Sequence, residues 1–333
     1  MMQLNRRRLL TAGVVVTGLF LSTGCAGVTT GSKENAFPSK PVELVVPYSA
    51  GGGSDLQARA LGRSMENPLG KAMVVVNKPG GGGNVGTAEV ASATSDGYKL
   101  VMPNATQFTV SKIALPNEKS VGLNDLTVIR GLTRDNVVLY TSDNSPYQSL
   151  ADLLALSGTD KTIRFASNGP SSILSLSQVI FYGKAGIKTN EVPFGGVGEQ
   201  LPAILGGHVD VGAATYSELA SQVGEGGIRI LGVFSKERLT YMPDVPTFAE
   251  LGMDLQFAVT RFLAGPADLP QSVTQKLNDS LTEVFKSDEW AKVLEERQLE
   301  RHEVDGQTIV QENEDDFKAY EKALADIGWT PKA

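Results

Sequence analysis

Four glycine-rich stretches concentrate the chemistry this chain can do: Tyr48–Asp55 (YSAGGGSD), Pro79–Val85 (PGGGGNV), Ser167–Ser172 (SNGPSS) and Phe194–Gly198 (FGGVG). Each follows an apolar run, and three clearly precede a helical pattern. Glycine lets backbone N–H groups approach a ligand closely, and a helix N-terminus adds about half a positive charge. Such loops, set at the carboxyl ends of parallel strands, suit a small carboxylate held by amides and Ser hydroxyls rather than by arginine. Any one loop is explained as well by a tight turn. Four of them with Ser or Thr hydroxyls alongside favour binding.

The catalytic inventory is thin. The two histidines, His208 and His302, lie in unrelated contexts, and there is no HExxH, CxxC, GxSxG or P-loop lysine. No paired acid and base emerges, so no enzymatic activity is expected. Glu312–Asp316 (ENEDD) lacks the glycine-turned spacing of a calcium loop and reads as a solvated helix face; no metal or cofactor is expected. Gly81–Gly86 satisfies GxGxxG, but Asp96 precedes the next strand instead of ending it, and Pro79 separates the glycines from the first strand. A dinucleotide site needs the acid at the strand end.

The elements that must position these loops alternate. Strand patterns at Val42–Pro47, Ala72–Val76, Tyr98–Met102, Val137–Thr141, Thr162–Ala166, Glu191–Phe194, Val209–Ala213 and Ile228–Phe234 are interleaved with helical ones, including Leu56–Met65 and Val197–Leu205. That predicts an α/β fold with a parallel sheet covered by helices. Val273, Leu277, Leu281 and Val284 share one face of a C-terminal helix preceded by Pro270. At 333 residues the chain is long enough for two domains of roughly 100–200 residues each. Thirty basic against thirty-seven acidic residues, net −7, argue against a nucleic-acid partner.

The N-terminus reads as an export signal. Arg6-Arg7-Arg8 precedes the apolar run Leu9–Leu21. As a helix that run rises only about 20 Å, short of the roughly 30 Å hydrocarbon layer. Its arginines leave twin-arginine and general secretion both open. Cys25, the chain's one cysteine, follows Gly24 as in a bacterial lipoprotein box and is the expected lipidation site, although Ser22 stands where Leu, Ile or Val is usual. Residues 1–24 are then the signal peptide, and 25–36 a lipid-anchored tether on an extracytoplasmic protein.

Over essentially the whole mature chain the sequence resembles the substrate-binding proteins of tripartite tricarboxylate transporters, the Bug family. The resemblance rests on VPYSAGGGSDLQAR (46–59), VVNKPGGGGNVGTAEVASATSDGYKL (75–100), FASNGPSS (165–172), EVPFGGVGEQLPAILGGHVDV (191–211), LGVFSKERLTYMPDVPTFAELG (231–252) and LAGPADLP (263–270), in family order and spacing. It implies a two-lobed periplasmic-binding-protein fold, type II-like, with the ligand in the interdomain cleft. It also implies capture of a di-, tricarboxylate or similar acid for delivery to membrane permease subunits. Phe194 and Gly195 replace a family Tyr-Lys, Gly169–Ser172 (GPSS) replaces Gly-x-Gly-Ser, Ser175-Leu176 replaces a His-Leu pair, and Phe262 stands where Trp is frequent. These departures leave the acid unspecified.

The resulting expectations are specific. Lobe 1 spans 37–133 and 262–333, and lobe 2 spans 134–261. Ligand contacts are expected from Tyr48, Ser49, Gly52, Gly53, Ser54 and Asp55, the last serving chiefly to cap its helix. Asn104, Thr106 and Tyr216 are expected at the sides. The second lobe contributes Ser167, Asn168, Gly169, Ser171 and Ser172, with Gly195 and Gly196. Arg261, near the return crossing, is the cation best placed to reach the cleft. A side chain at Gly52 is expected to block the backbone approach and strain the local φ/ψ. The protein is expected to act as a monomer. A sensor-kinase partner using the same lobes is the alternative to a permease.

Overall fold

The computed structural model describes residues 37–115, 120–220, 222–223 and 227–330, so the expected leader, Cys25 and tether lie outside the described residues. The first apolar run becomes β1 (Val42–Val46), which pairs in parallel with β2 (Met73–Asn77) and β3 (Lys99–Val101). In β1 only Glu43 keeps solvent contact, as expected for a strand with helices over both faces. A second parallel set joins β5 (Thr162–Ser167) to β6 (Lys188–Pro193) and β7 (Val211–Thr215).

Two long antiparallel strands join these sets. β4 runs from Leu126 to Ser142, and β9 from Ala258 to Pro266. The first half of β4 pairs with β9, and its second half with β7 and with β8 (Ile228–Val233); the short β10 (Glu300–Arg301) also pairs with β4. Among the described residues the order is β2-β1-β3-β9-β4-β7-β5-β6, with β8 and β10 attached to β4. The sequence pattern identifies only Val137–Thr141 of β4, because Arg130, Gly131, Arg134, Asp135 and Asn136 interrupt its apolar alternation. Those residues have partners. Arg130 donates to the Thr282 hydroxyl, Asp135 meets Arg261, and the register shifts at Val128/Arg130 and Gly131/Thr133.

Two large cores flank the sheet. In the first half Leu44, Leu61, Met65 and Leu263 are enclosed with Leu277 and Trp290, which seats the helix Gln271–Phe285 against the helix Gly53–Leu69. In the second, Leu139, Phe165, Phe181, Val211 and Phe248 form the centre. The C-terminal helix Gly306–Asp326 spans both halves: Ile309 packs with Val101 and Phe262 in a smaller first-half cluster, while Tyr320 and Leu324 enter the second-half core. The sequence reading groups this helix with the first half alone. The ring of Tyr320 stacks on Phe257 at 5.2 Å, so its last turns are fixed by the second half.

Candidate functional site

The loops at the carboxyl ends of β1, β3, β5, β6 and β7 converge on a cleft of about 500 Å³. All four glycine-rich stretches reach it. The first supplies Tyr48, Ser49, Gly52, Gly53 and Ser54, where Gly52 caps the helix Gly53–Leu69. The second contributes Gly82. The third gives Asn168, Ser171 and Ser172, and the fourth Gly195 and Gly196. Asn104 and Thr106 also line the wall, at the start of the helix Thr106–Ala114. The N-termini of Gly53–Leu69, Thr106–Ala114, Ile173–Ala185 and Val197–Leu205 therefore border one space. Each brings the partial positive charge of a helix N-terminus to it.

A hydrogen-bond chain sets the first-half wall. The Asn104 N–H donates to the Tyr48 hydroxyl at 3.1 Å, and the Ser54 hydroxyl donates to Asn104 Oδ1 at 3.3 Å. Arg261 Nε donates to Ser54 Oγ at 3.1 Å, and its Nη1 lies 3.4 Å from Asp135 Oδ2. Burial pushes the Tyr48 phenol up to about 12, so its hydroxyl keeps a proton to donate. Across the cleft, Ser172 caps Ile173–Ala185 by accepting from the Leu174 N–H at 3.2 Å, which leaves its own O–H available. Asn168 accepts from Gln200.

Four expected residues stand back from the wall. Asp55 is 3% exposed, accepts from the Gly51 N–H at 2.9 Å and pairs with Arg59 at 2.8 Å. It closes the turn into its helix, and its carboxyl is held below the usual range by Arg59, Gly51 and Asn77 against the opposing effect of burial. Ser167 is fully buried and donates to Glu191 at 2.6 Å, while accepting from the Gly169 N–H. Gly169 holds φ 87°, the left-handed conformation that turns the chain toward Ser171. Tyr216 stacks on Tyr241 at 4.9 Å. It turns away because β7 ends at Thr215, two residues beyond the expected strand end, so Thr215 lines the cleft instead.

Gly52 corrects a further expectation. Its φ of −77° and ψ of 169° are ordinary extended values, and an added Cβ would meet only Ser49 O at 3.6 Å. Backbone strain is therefore no reason for glycine there. The tighter position is Gly53, where a Cβ would come 3.2 Å from an Arg261 guanidinium nitrogen.

Sequence reasoning did not find Gln107, Ser111, Ile173, Leu174, Glu218 and Val259 on the wall. Gln107 is informative: its Oε1 accepts from the Thr87 hydroxyl at 3.1 Å while its amide nitrogen is buried without a partner. A polar residue in the first turn of a helix that follows a strand is the signal that would have marked it. Arg261, 4% exposed, lines the cleft, so its wall carries a guanidinium in addition to amides and hydroxyls.

Comparison with known proteins decides the family. The model for the tripartite tricarboxylate transporter family receptor matches residues 57–328. The chain belongs to this family. As one of its receptors, it is a solute-binding protein rather than an enzyme. The receptor is 29% identical to Protein BugT of Bordetella pertussis over 288 residues, 85% of this chain and 86% of that one. Its fold matches a Rhodopseudomonas palustris protein solved with adipate, at TM-score 0.80 and 23% identity, covering 89% of this chain and 100% of that one. It also matches MatC of the same organism, solved with bound malate, at TM-score 0.76 and 23% identity over 86% and 100% of the two chains. Both likenesses establish a mixed α/β periplasmic-binding-protein fold.

Proposed function

We propose that this receptor captures a small organic carboxylate in the cleft and delivers it to the membrane subunits of a tripartite transporter, its two lobes closing on the ligand. The observation that carries the reading is the convergence of four helix N-termini, serine hydroxyls and Arg261 on one cleft. Donors of this kind, fixed before the ligand arrives, stabilise an anion without reorganising. The relatives crystallised with malate and adipate support that chemistry. Thermal-shift screening with these two acids tests it, since a ligand at one hundred times its Kd adds about 2.7 kcal/mol of stability.

Ser172→Ala is expected to weaken carboxylate binding by about 1.5–3 kcal/mol, the range for a hydrogen bond to a charged group, or roughly tenfold to hundredfold. Because Ser172 also caps its helix, the same change should lower stability by about 1 kcal/mol. Calorimetry and urea unfolding separate the two effects. Unchanged affinity would remove Ser172 from the site.

We further propose export and anchoring through a lipid on Cys25, on the motif described above. Cys25→Ser should move the protein from the membrane to the soluble fraction. Membrane retention of that variant, or cleavage elsewhere in the wild type seen by mass spectrometry, would refute the anchor.

A further inference from the structure

Among the described residues lining the cleft, Glu218 is the one acid and Arg261 the one base. Their situations differ. The guanidinium of Arg261 is engaged by Asp135 at 3.4 Å and by Ser54 at 3.1 Å, and Asp135 also accepts from the Ser217 hydroxyl at 2.5 Å. Glu218 lies on the opposite half, in the short helix Tyr216–Leu219 that follows β7. It accepts only from Thr215, at 2.9 Å from the hydroxyl and 3.3 Å from the N–H, and its exposed side chain pairs with no basic group among the described residues. Surrounding protein pushes its carboxyl above the usual range, and Asp135 adds to that, while Thr215 and Arg261 oppose it.

When the lobes close on a ligand, Glu218 loses its water, and a carboxylate without a cation is then unfavourable unless the occupant supplies one. A wholly anionic ligand would add like charge beside Glu218 and Asp135 with only Arg261 to offset it. A ligand bearing a positive group would complete the pairing that the protein leaves open.

We infer that the ligand is zwitterionic, its carboxylate seated on the donors around Gly53, Ser54 and Ser172 and a protonated amine received by Glu218. The inference rests on the carboxylate reading and names the substrate class within it.

The test uses two matched pairs of probes, measured by calorimetry at neutral pH on the full receptor. Aspartate differs from malate by an ammonium in place of a hydroxyl; 5-aminopentanoate differs from adipate by an ammonium in place of one carboxylate. The amine-bearing member of at least one pair should bind tenfold or more tightly than its partner. Glu218→Gln, which keeps a side-chain oxygen for Thr215, should bring that ratio close to unity, with an unchanged melting temperature confirming the fold. If malate or adipate binds and the amines bind no better, or if E218Q leaves the ratio intact, the inference is overturned and the carboxylate reading stands. Uptake of a proton with a dicarboxylate, detected in buffers of different ionisation enthalpy and lost in E218Q, also overturns it: Glu218 would then take its charge partner from water. If none of the four probes binds, the carboxylate reading fails and the inference with it.

Discussion

Arg261→Ala is expected to abolish carboxylate binding and to destabilise the receptor by about 3–5 kcal/mol, the cost of leaving one member of a buried ion pair alone. The orphan is Asp135, whose side chain is fully buried and whose other partner is Ser217. Removing the guanidinium also strips the donor that holds Ser54 in place, and with it the chain through Asn104 to Tyr48. The double variant Arg261→Ala, Asp135→Asn separates the two consequences. With no charge left unpaired it should regain most of the stability, while binding stays lost because the positive group is still missing. Urea unfolding and calorimetry on the single and double variants check this. Full stability in the single variant would mean that water reaches Asp135, and the buried-pair argument would fall.

The second large effect depends on pH. Asp316, on the C-terminal helix, has its carboxyl raised from its ordinary 3.8 to about 6, chiefly by burial. Glu312 and Asp315 push the same way, and Arg134 and His302 oppose them. The folded state therefore holds a proton between pH 4 and 6 that the unfolded chain has released. Stability falls as pH rises through that window and stays reduced above it. Asp316→Asn removes the penalty, so it should stabilise the receptor at pH 7 by up to about 2–3 kcal/mol, since each tenfold change in proton affinity is worth about 1.4 kcal/mol. The gain should vanish below about pH 4, where both states are protonated. Melting temperatures of the two proteins across this range test the sign as well as the size. An equal gain at every pH would point to packing instead of titration.

The alternating architecture was legible because its strands are short apolar runs ended by glycine clusters, and those clusters mark the strand ends where the cleft lies. β1 and its loop through Ser54 are the clearest case. What escaped depends on tertiary partners. The first half of β4 reads as polar because Arg130 and Asp135 are matched by groups far along the chain, at Thr282 and Arg261. Arg261 itself could be placed near a crossing but not on the cleft wall, since that follows from β3 and β9 meeting at the bridge between Asn104 and Arg261. Thr215 and Glu218 were missed through a two-residue error in the end of β7, because Val209–Thr215 offers several apolar positions and no alternation to fix the register. Gly81–Gly86 met a dinucleotide motif by chance of spelling, and its glycines begin in the run Gly80–Gly83. All four adopt positive φ, and a Cβ on Gly83 would strike Gln107, so that turn packs against the wall of the cleft.

The placement of β9 between β3 and β4 bears on how the chain reaches this fold. Val101 pairs with Ala264, and Val128 pairs with the same residue from the other side. Until Ala258–Pro266 has been synthesised, β3 and the first half of β4 have no strand to join them, and β3 presents an open edge. The helices that cover the first core, Gln271–Phe285 and Asp288–Arg297, come later still. Loop closure over such separations is slow, and an uncovered strand edge invites association between chains. The first half of this receptor therefore cannot fold as its own residues emerge. Its native state is a property of the nearly complete chain, and fragments ending before Ala258 should be prone to aggregation and open to proteolysis.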